Sequence, residues 1–194
     1  MALITIPEII DIIVMTFAIG YIFSKIFRRR PAEDYDPLTY YKKSGLWEDI
    51  KYGAIIAAPA VVLHEFAHKF VAMAFGATAT IHAPSLFGIP YGWYLLVILL
   101  IHFNFPILFF IGGYVSHTAL PALPSALVAI AGPLMNLMIW FLCILAIKHK
   151  FVKRKHYATI GLMGKLNMFL FIFNMLPLPG FDGFNFLNAV IHLF

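Results

Sequence analysis

Apolar residues dominate this chain in five long regions, which are separated by polar stretches or by stretches rich in glycine and proline. Each region is close to the roughly 20 residues that a helix needs to cross the hydrocarbon of a membrane. A last segment, residues 182–194, is compatible with a helix, but at 1.5 Å per residue it would extend only about 20 Å. The five apolar regions are residues 4–26, 52–75, 93–115, 125–147 and 157–176.

The third apolar region differs from the others because His102, Asn104 and Pro106 interrupt it. This break predicts either a re-entrant segment, whose freed backbone groups must be covered by protein or water, or a plain crossing helix. Residues 77–82 combine small and β-branched residues and predict a short strand. The pattern as a whole predicts an all-α polytopic membrane protein. It has about five to six transmembrane helices, a short β-hairpin or strand segment and, in one of the two alternatives, a re-entrant segment near the candidate site.

The composition agrees with a membrane protein, since 62% of the residues are hydrophobic and 12% are charged, against roughly 25% charged in soluble domains. Seven of the 14 Lys and Arg residues lie between Lys25 and Lys51, and five more lie between Lys148 and Lys155. Both clusters flank apolar spans, as positively charged cytoplasmic loops do. The net charge of +5 therefore points to a lipid bilayer and not to nucleic acid. We divide the chain into residues 1–51, a membrane helix with a polar cytoplasmic linker, and a core of residues 52–194.

The first apolar region is predicted to be a retained helix, because it lacks the basic start and small-residue cleavage site of a signal peptide. It carries Glu8 and Asp11 one helical turn apart, which we expect in a solvated or interfacial N-terminal turn. The absence of a eukaryotic targeting signal and the compact size favour a multi-pass protein of a prokaryotic cell membrane.

Carboxylates are rare in the rest of the chain: beyond Asp49 only Glu65 and Asp182 occur. Both lie in or beside strongly apolar segments. An ionisable side chain at membrane depth is costly, so it usually lines a cavity, has a partner or takes part in chemistry. These two carboxylates are therefore the first candidates for a functional site.

Glu65 lies in the sequence His64-Glu65-Phe66-Ala67-His68. On a helix, residues i and i+4 share one face about 5–6 Å apart, so both imidazoles can bind one zinc ion. Glu65 is rotated by about 100° from His64, which places its carboxylate beside the metal, where it can accept a proton from water. The alternative is a pair of buried histidines and a glutamate that hydrogen-bond between helices.

A catalytic zinc site usually has three protein ligands, and Asp182 is a candidate for the third. It follows the break Pro177-Leu178-Pro179-Gly180 and stands at the start of the last helical segment. The spacing of the remaining histidines selects none of them as a ligand. A helix cap without a metal role remains the alternative for Asp182.

Four motifs together resemble the site-2 protease family of intramembrane zinc metalloproteases, over about residues 52–194. They are an HExxH sequence, a GG-containing strand, an AGPxxN helix signature and an NxxPxPxxDG motif. In this chain they stand at residues 64–68, 112–115, 131–137 and 174–183. Phe181 departs from the family by replacing an aliphatic residue before the aspartate.

This resemblance implies zinc-dependent intramembrane proteolysis of transmembrane protein substrates, that is, regulated intramembrane proteolysis. It implies one Zn²⁺ per chain bound by His64, His68 and Asp182, with Glu65 as the general base. It also implies that Asn174 positions the substrate or stabilises the developing oxyanion. A helix C-terminal residue that bonds the backbone before Pro177 remains the alternative for Asn174.

Two other functions remain open at this point. A non-proteolytic membrane zinc-binding protein would need the ligands but not Glu65. A transporter would use the polar residues as a pathway through the membrane with a broken helix at residues 93–115. The transporter interpretation leaves the HExxH spacing unexplained.

Overall fold

The computed structural model describes residues 3–27, 45–103, 105 and 112–193, and most of these residues are helical. A single 3-10 turn, Arg154–His156, connects the last two long helices. The elements in chain order are α1 (Ile6–Ile26), α2 (Leu46–Ala74), β1 (Ala79–His82), α3 (Gly92–His102), β2 (Tyr114–His117), α4 (Ala122–Lys148), α5 (Tyr157–Asn174) and α6 (Asp182–Ile191).

Three of the described helices, α1, α2 and α4, are long and apolar enough to cross a membrane. Their length and composition indicate a membrane protein. α3 has 11 residues, which extend only about 16 Å, and α5 carries Lys165 and Asn167 in its interior. Among the described residues, three helices meet both the length and the hydropathy expected of a span. The predicted count of five to six is therefore not confirmed.

A two-stranded antiparallel sheet is the only sheet among the described residues. β1 pairs with β2 in a register that places Ala79 opposite His117 and His82 opposite Tyr114. The strand predicted within residues 77–82 is thus confirmed. The predicted break in the third apolar region begins where α3 ends, at His102. Because residues 104 and 106–111 lie outside the described residues, the re-entrant segment stays a prediction.

α1 and α2 approach each other closely where both helices have glycine. A Cβ added at Gly20 would lie 2.9 Å from the Cβ of Ala54, and one added at Gly53 would lie 2.7 Å from the amide nitrogen of Ser24. Small residues at a contact let two apolar helices pack backbone to backbone. The core around this contact consists of Met15, Ile19, Ile22, Ile56, Ala57, Ala60, Val61, Ile81, Tyr94, Val97 and Leu166, with Ala18 beside them.

The second helix begins earlier than its apolar pattern predicts. α2 starts at Leu46 and runs across the proposed boundary at residue 51, with an exposed Glu48–Lys51 ion pair of 2.8 Å in its first turns. α4 packs against α2, α5 and α6. α4 thus lies against the second half of α2 and also contacts α6.

We expected Glu8 in a solvated or interfacial first turn, and the structure shows that its side chain is not solvated. Its side chain is 1% exposed and forms an ion pair with the equally buried Lys69 of α2. Asp11 is half-buried and accepts a hydrogen bond of 3.0 Å from the Tyr91 hydroxyl. The first turn of α1 therefore packs against the end of α2 and the start of α3, and this burial requires partners for both carboxylates.

Candidate metal centre

His64, His68 and Asp182 meet at one point, although α6 begins more than a hundred residues after α2. The two Nε2 atoms are 3.0 Å apart, and Oδ2 of Asp182 lies 3.1 Å from Nε2 of His64 and 3.4 Å from Nε2 of His68. Both histidines are buried and Asp182 is half-buried. Asp182 is the first residue of α6, and its side chain faces the histidines while Phe181 occupies the cap position.

A buried asparagine on α4 orients His64. Nδ1 of His64 lies 2.7 Å from Oδ1 of Asn136, whose amide group donates to the Ala60 carbonyl at 2.8 Å and to Oδ1 of Asn167 at 3.0 Å. Since this amide group donates twice, Oδ1 of Asn136 is an acceptor and Nδ1 of His64 carries the proton. The Nε2 atom of His64 is left with a lone pair.

A backbone carbonyl on the same helix orients His68. Nδ1 of His68 donates to the Val128 carbonyl over 2.6 Å, so its Nε2 atom also carries a lone pair. Histidine ligands usually donate their second ring N–H in this way, which fixes the tautomer and the ring orientation. Both imidazoles are thus prepared to bind through Nε2.

The distances between the three ligand atoms show whether a metal ion fits this centre. Two lone pairs and a carboxylate oxygen at 3.0–3.4 Å repel one another unless a cation or a proton lies between them. A tetrahedral zinc ion with bonds of 2.0–2.1 Å separates its ligand atoms by about 3.3 Å. The donor set and its spacing therefore fit one zinc-sized cation.

Gly132 has no side chain, and the imidazoles of His64 and His68 occupy the space that a side chain would fill. A Cβ added to Gly132 would lie 2.6 Å from both Cε1 and Nε2 of His64, closer than real Cβ atoms come to other atoms. The α4 backbone can therefore lie next to the Nε2 atoms of the two histidines only because residue 132 has no side chain. The AGPxxN sequence thus supplies both this glycine and the orienting Asn136.

Glu65 and the candidate ligands line one cavity of about 950 Å³. Glu65 is buried, and Gly113 lies beside its carboxylate, since a Cβ added there would be 3.3 Å from Oε1. Asn174, the last residue of α5, is half-buried and lines the same cavity. The structure thus brings together all five residues that the sequence singles out.

Other polar residues fall into two groups. His82 lies outside the metal centre and pairs with Ser116 at 2.9 Å, whereas His117 and His192 line the cavity without joining the ligand group.

The sequence did not assign roles to Asn136 or Asn167, although an asparagine within an apolar helix is itself a signal. The contact of His68 with the Val128 carbonyl has no signal in the sequence.

Comparison with known proteins finds a similar protein in Methanocaldococcus jannaschii, which is named "Putative zinc metalloprotease". It is 29% identical over 184 residues, and the match covers 91% of this chain and 81% of that protein. No protein-family profile matches the chain, and no solved structure matches it. The likeness supports a zinc metalloprotease at this coarse level, and it agrees with the donor set of the candidate centre.

Proposed function

We propose that this chain is a zinc-dependent intramembrane protease of the site-2 type, which hydrolyses peptide bonds in or beside a membrane-spanning segment of a substrate protein. One observation carries the proposal. Three candidate ligand atoms lie within 3.4 Å of one another. Two of them belong to α2, a helix long and apolar enough to cross a membrane, and Glu65 lies in the same cavity. The proposed setting is a multi-pass protein of a prokaryotic cell membrane, and the proposed partners are a membrane-spanning protein or peptide and the lipid bilayer.

His64, His68 and Asp182 would hold the zinc ion, one per chain. When bound, zinc supplies Lewis-acid chemistry, which acidifies water and polarises a carbonyl group. Asn136 and the Val128 carbonyl keep the two imidazoles in the tautomer that binds metal. The protein therefore needs no rearrangement of these side chains to bind the ion.

Glu65 is proposed as the general base. It accepts a proton from the attacking water while the water oxygen adds to the scissile carbonyl carbon. It then gives this proton to the departing amine as the C–N bond breaks, so that a carboxylic acid and an amine are the products. Because the Glu65 carboxylate would lie beside the bound metal ion, it could carry out both proton transfers from one position in the cavity.

Asn174 is proposed to act on the substrate side of the cavity. Its amide group can donate to the oxygen that becomes negative as water adds to the carbonyl. The substrate must be unwound at the cleavage point, because helical hydrogen bonds otherwise occupy its carbonyls. An extended segment could pair with an edge of the β1–β2 sheet, in the manner of an added strand.

The proposal is tested by Glu65→Gln beside Asp182→Asn, both purified in detergent and reconstituted in liposomes with synthetic single-span peptides. Zinc is measured by elemental analysis and cleavage by mass spectrometry. We expect Glu65→Gln to retain about one zinc per chain and to lose at least about 100-fold in cleavage rate, since general-base catalysis contributes about 10²–10⁴-fold. Asp182→Asn should lose most of the zinc.

The outcomes separate the proposal from the other candidate functions. Wild-type rates in Glu65→Gln would refute the role of this residue as the base. Zinc binding without cleavage of any peptide would favour a non-proteolytic zinc-binding protein. Folded wild-type protein without zinc would contradict the proposed metal centre itself.

A further inference from the structure

A buried ion pair outside the metal centre has no role in the proposed chemistry. Lys69 follows His68 directly on α2, and Glu8 belongs to the first turn of α1; both side chains are 1% exposed. A buried lysine or glutamate without a partner is costly, and a paired one still loses its hydration. A buried ion pair adds little net stability by itself. The elements that this pair connects therefore say more about its role.

Glu8 also binds the sheet. Its Oε1 atom accepts the hydrogen of the Ile81 backbone N–H at 2.9 Å as well as one from the Lys69 ammonium group. Its Oε2 atom accepts from the backbone N–H of Thr5 at 2.7 Å and from the Thr5 hydroxyl at 3.0 Å. One carboxylate therefore connects α1, the metal-binding helix α2 and strand β1.

The next turn of α1 continues this contact. Oδ2 of Asp11 lies 3.9 Å from Nδ1 of His82, and its other oxygen accepts from Tyr91 at the start of α3. Two carboxylates of α1 thus face two successive residues of β1, Ile81 and His82. Glu8 holds the backbone of β1 directly, whereas Asp11 approaches a side chain.

The position of β1 determines one wall of the cavity. β1 is paired with β2 along its whole length, and β2 directly follows Gly112 and Gly113, which line the cavity beside Glu65. The Tyr94 hydroxyl donates to the Gly112 carbonyl and fixes this segment from α3. We call the cavity wall formed by residues 112–115 the strand wall. A shift of β1 relative to α2 would therefore move the strand wall relative to Glu65 and the candidate metal ligands.

We propose that Glu8 is a positioning residue, which holds strand β1 at a fixed place against α2 through Lys69 and the Ile81 N–H. It thereby sets the strand wall on which an extended substrate is aligned. This inference rests on the proposed function, since it concerns how the same cavity receives its substrate. Glu8 touches neither the ligands nor the reacting atoms, so its loss should affect substrate alignment and not zinc binding.

Two double variants separate the strand contact from the ion pair. Glu8→Leu with Lys69→Met removes both charges and the acceptor for Ile81, and replacing both partners of a buried pair by apolar residues usually preserves folding. Glu8→Gln with Lys69→Met also removes the charges but keeps a side-chain oxygen that can accept from Ile81. The second double variant is therefore the matched rescue of the first.

For the Leu/Met variant we expect about one zinc per chain and a kcat changed by less than about threefold. We expect its KM for a single-span peptide to rise about tenfold, because the Ile81 N–H loses its acceptor. Cleavage should also spread over more than one peptide bond. The Gln/Met variant should return KM and the cleavage position close to wild type. Equal KM values in the two double variants would overturn the proposal, and so would loss of zinc in the Leu/Met variant.

Hydrogen exchange of the backbone amides of residues 79–82 tests the same idea without any activity. The Leu/Met variant should lose protection there, whereas the Gln/Met variant should keep it. If the wild type cleaves no peptide but this difference appears, the proposed function fails while the positioning of β1 by Glu8 holds. Equal protection in both variants would overturn the positioning role, whether or not the protein is a protease.

Discussion

The candidate metal centre depends on the absence of a side chain at Gly132 as much as on its candidate ligands. Gly132→Ala would place a Cβ 2.6 Å from Nε2 of His64, the atom through which His64 would bind the metal. The imidazole or the α4 backbone must then shift, and ligand geometry tolerates little displacement. We expect Gly132→Ala to fold but to lose most of its zinc, as measured by elemental analysis of the purified protein.

Gly161→Ala is the matched control, because it makes the same chemical change inside α5. A Cβ there would meet only Cδ1 of Ile147, at 3.9 Å, which is ordinary van der Waals contact. Alanine is also favoured over glycine in a helix interior by about 1 kcal/mol. Gly161→Ala should therefore keep the wild-type zinc content, and equal zinc in both variants would contradict the close approach of α4 to His64.

At the scale of elements, two asparagines hold three helices in the arrangement that the centre needs. Asn136 of α4 contacts His64 and Ala60 of α2, and it donates to Asn167 of α5, which in turn donates to the Met163 carbonyl at 2.9 Å. Both asparagines are fully buried. We predict that Asn136→Ala weakens zinc binding by about 10–100-fold, the usual effect of removing the partner of a ligand.

Competition with a zinc chelator of known affinity measures this change. Leu142→Ala on the same helix is the control, because Leu142 is 53% exposed and its truncation leaves the asparagine contacts intact. The control should bind zinc as tightly as the wild type. If Asn136→Ala matched it, the hydrogen bond to His64 would have no influence on the metal.

The sequence predicted the helices better than the contacts between them, and it singled out the three residues that meet at the candidate centre. The apolar regions correspond to α1, α2, α4 and α5 because apolar length is a local property that membrane burial selects. His64 and His68 are local too, since four residues place them on one helix face. Asn136 and His64 are 72 residues apart, and the acceptor for Ile81 is 73 residues away, so only tertiary packing could reveal these partners. For the same reason the sequence did not predict that Glu8 is buried against Lys69.

At the scale of the whole molecule, the sheet and α4 together constrain how the chain lies in the membrane. Thr80 pairs with Ser116 across the sheet, and Ser85 follows β1 by only a few residues, so Ser85 and Ser116 must lie on the same side. α4 has 27 residues, which extend about 40 Å, enough to cross from this side to the basic loop at residues 148–155. We therefore expect the chain to leave β1 and to enter β2 on the same face of the membrane.

Single cysteines at exposed positions test this arrangement in sealed vesicles with a membrane-impermeant maleimide. The one native cysteine, buried Cys143, is first replaced by serine, and Ser85→Cys, Ser116→Cys or Lys153→Cys is then added. Ser85 and Ser116 are exposed, and we expect both to be labelled from the same side, because the paired strands cannot be separated by a bilayer. Lys153→Cys serves as the reference for the opposite side, since α4 lies between it and β2. Labelling of residues 85 and 116 from opposite sides would mean that the third apolar region crosses the membrane once and that the β1–β2 sheet does not form there.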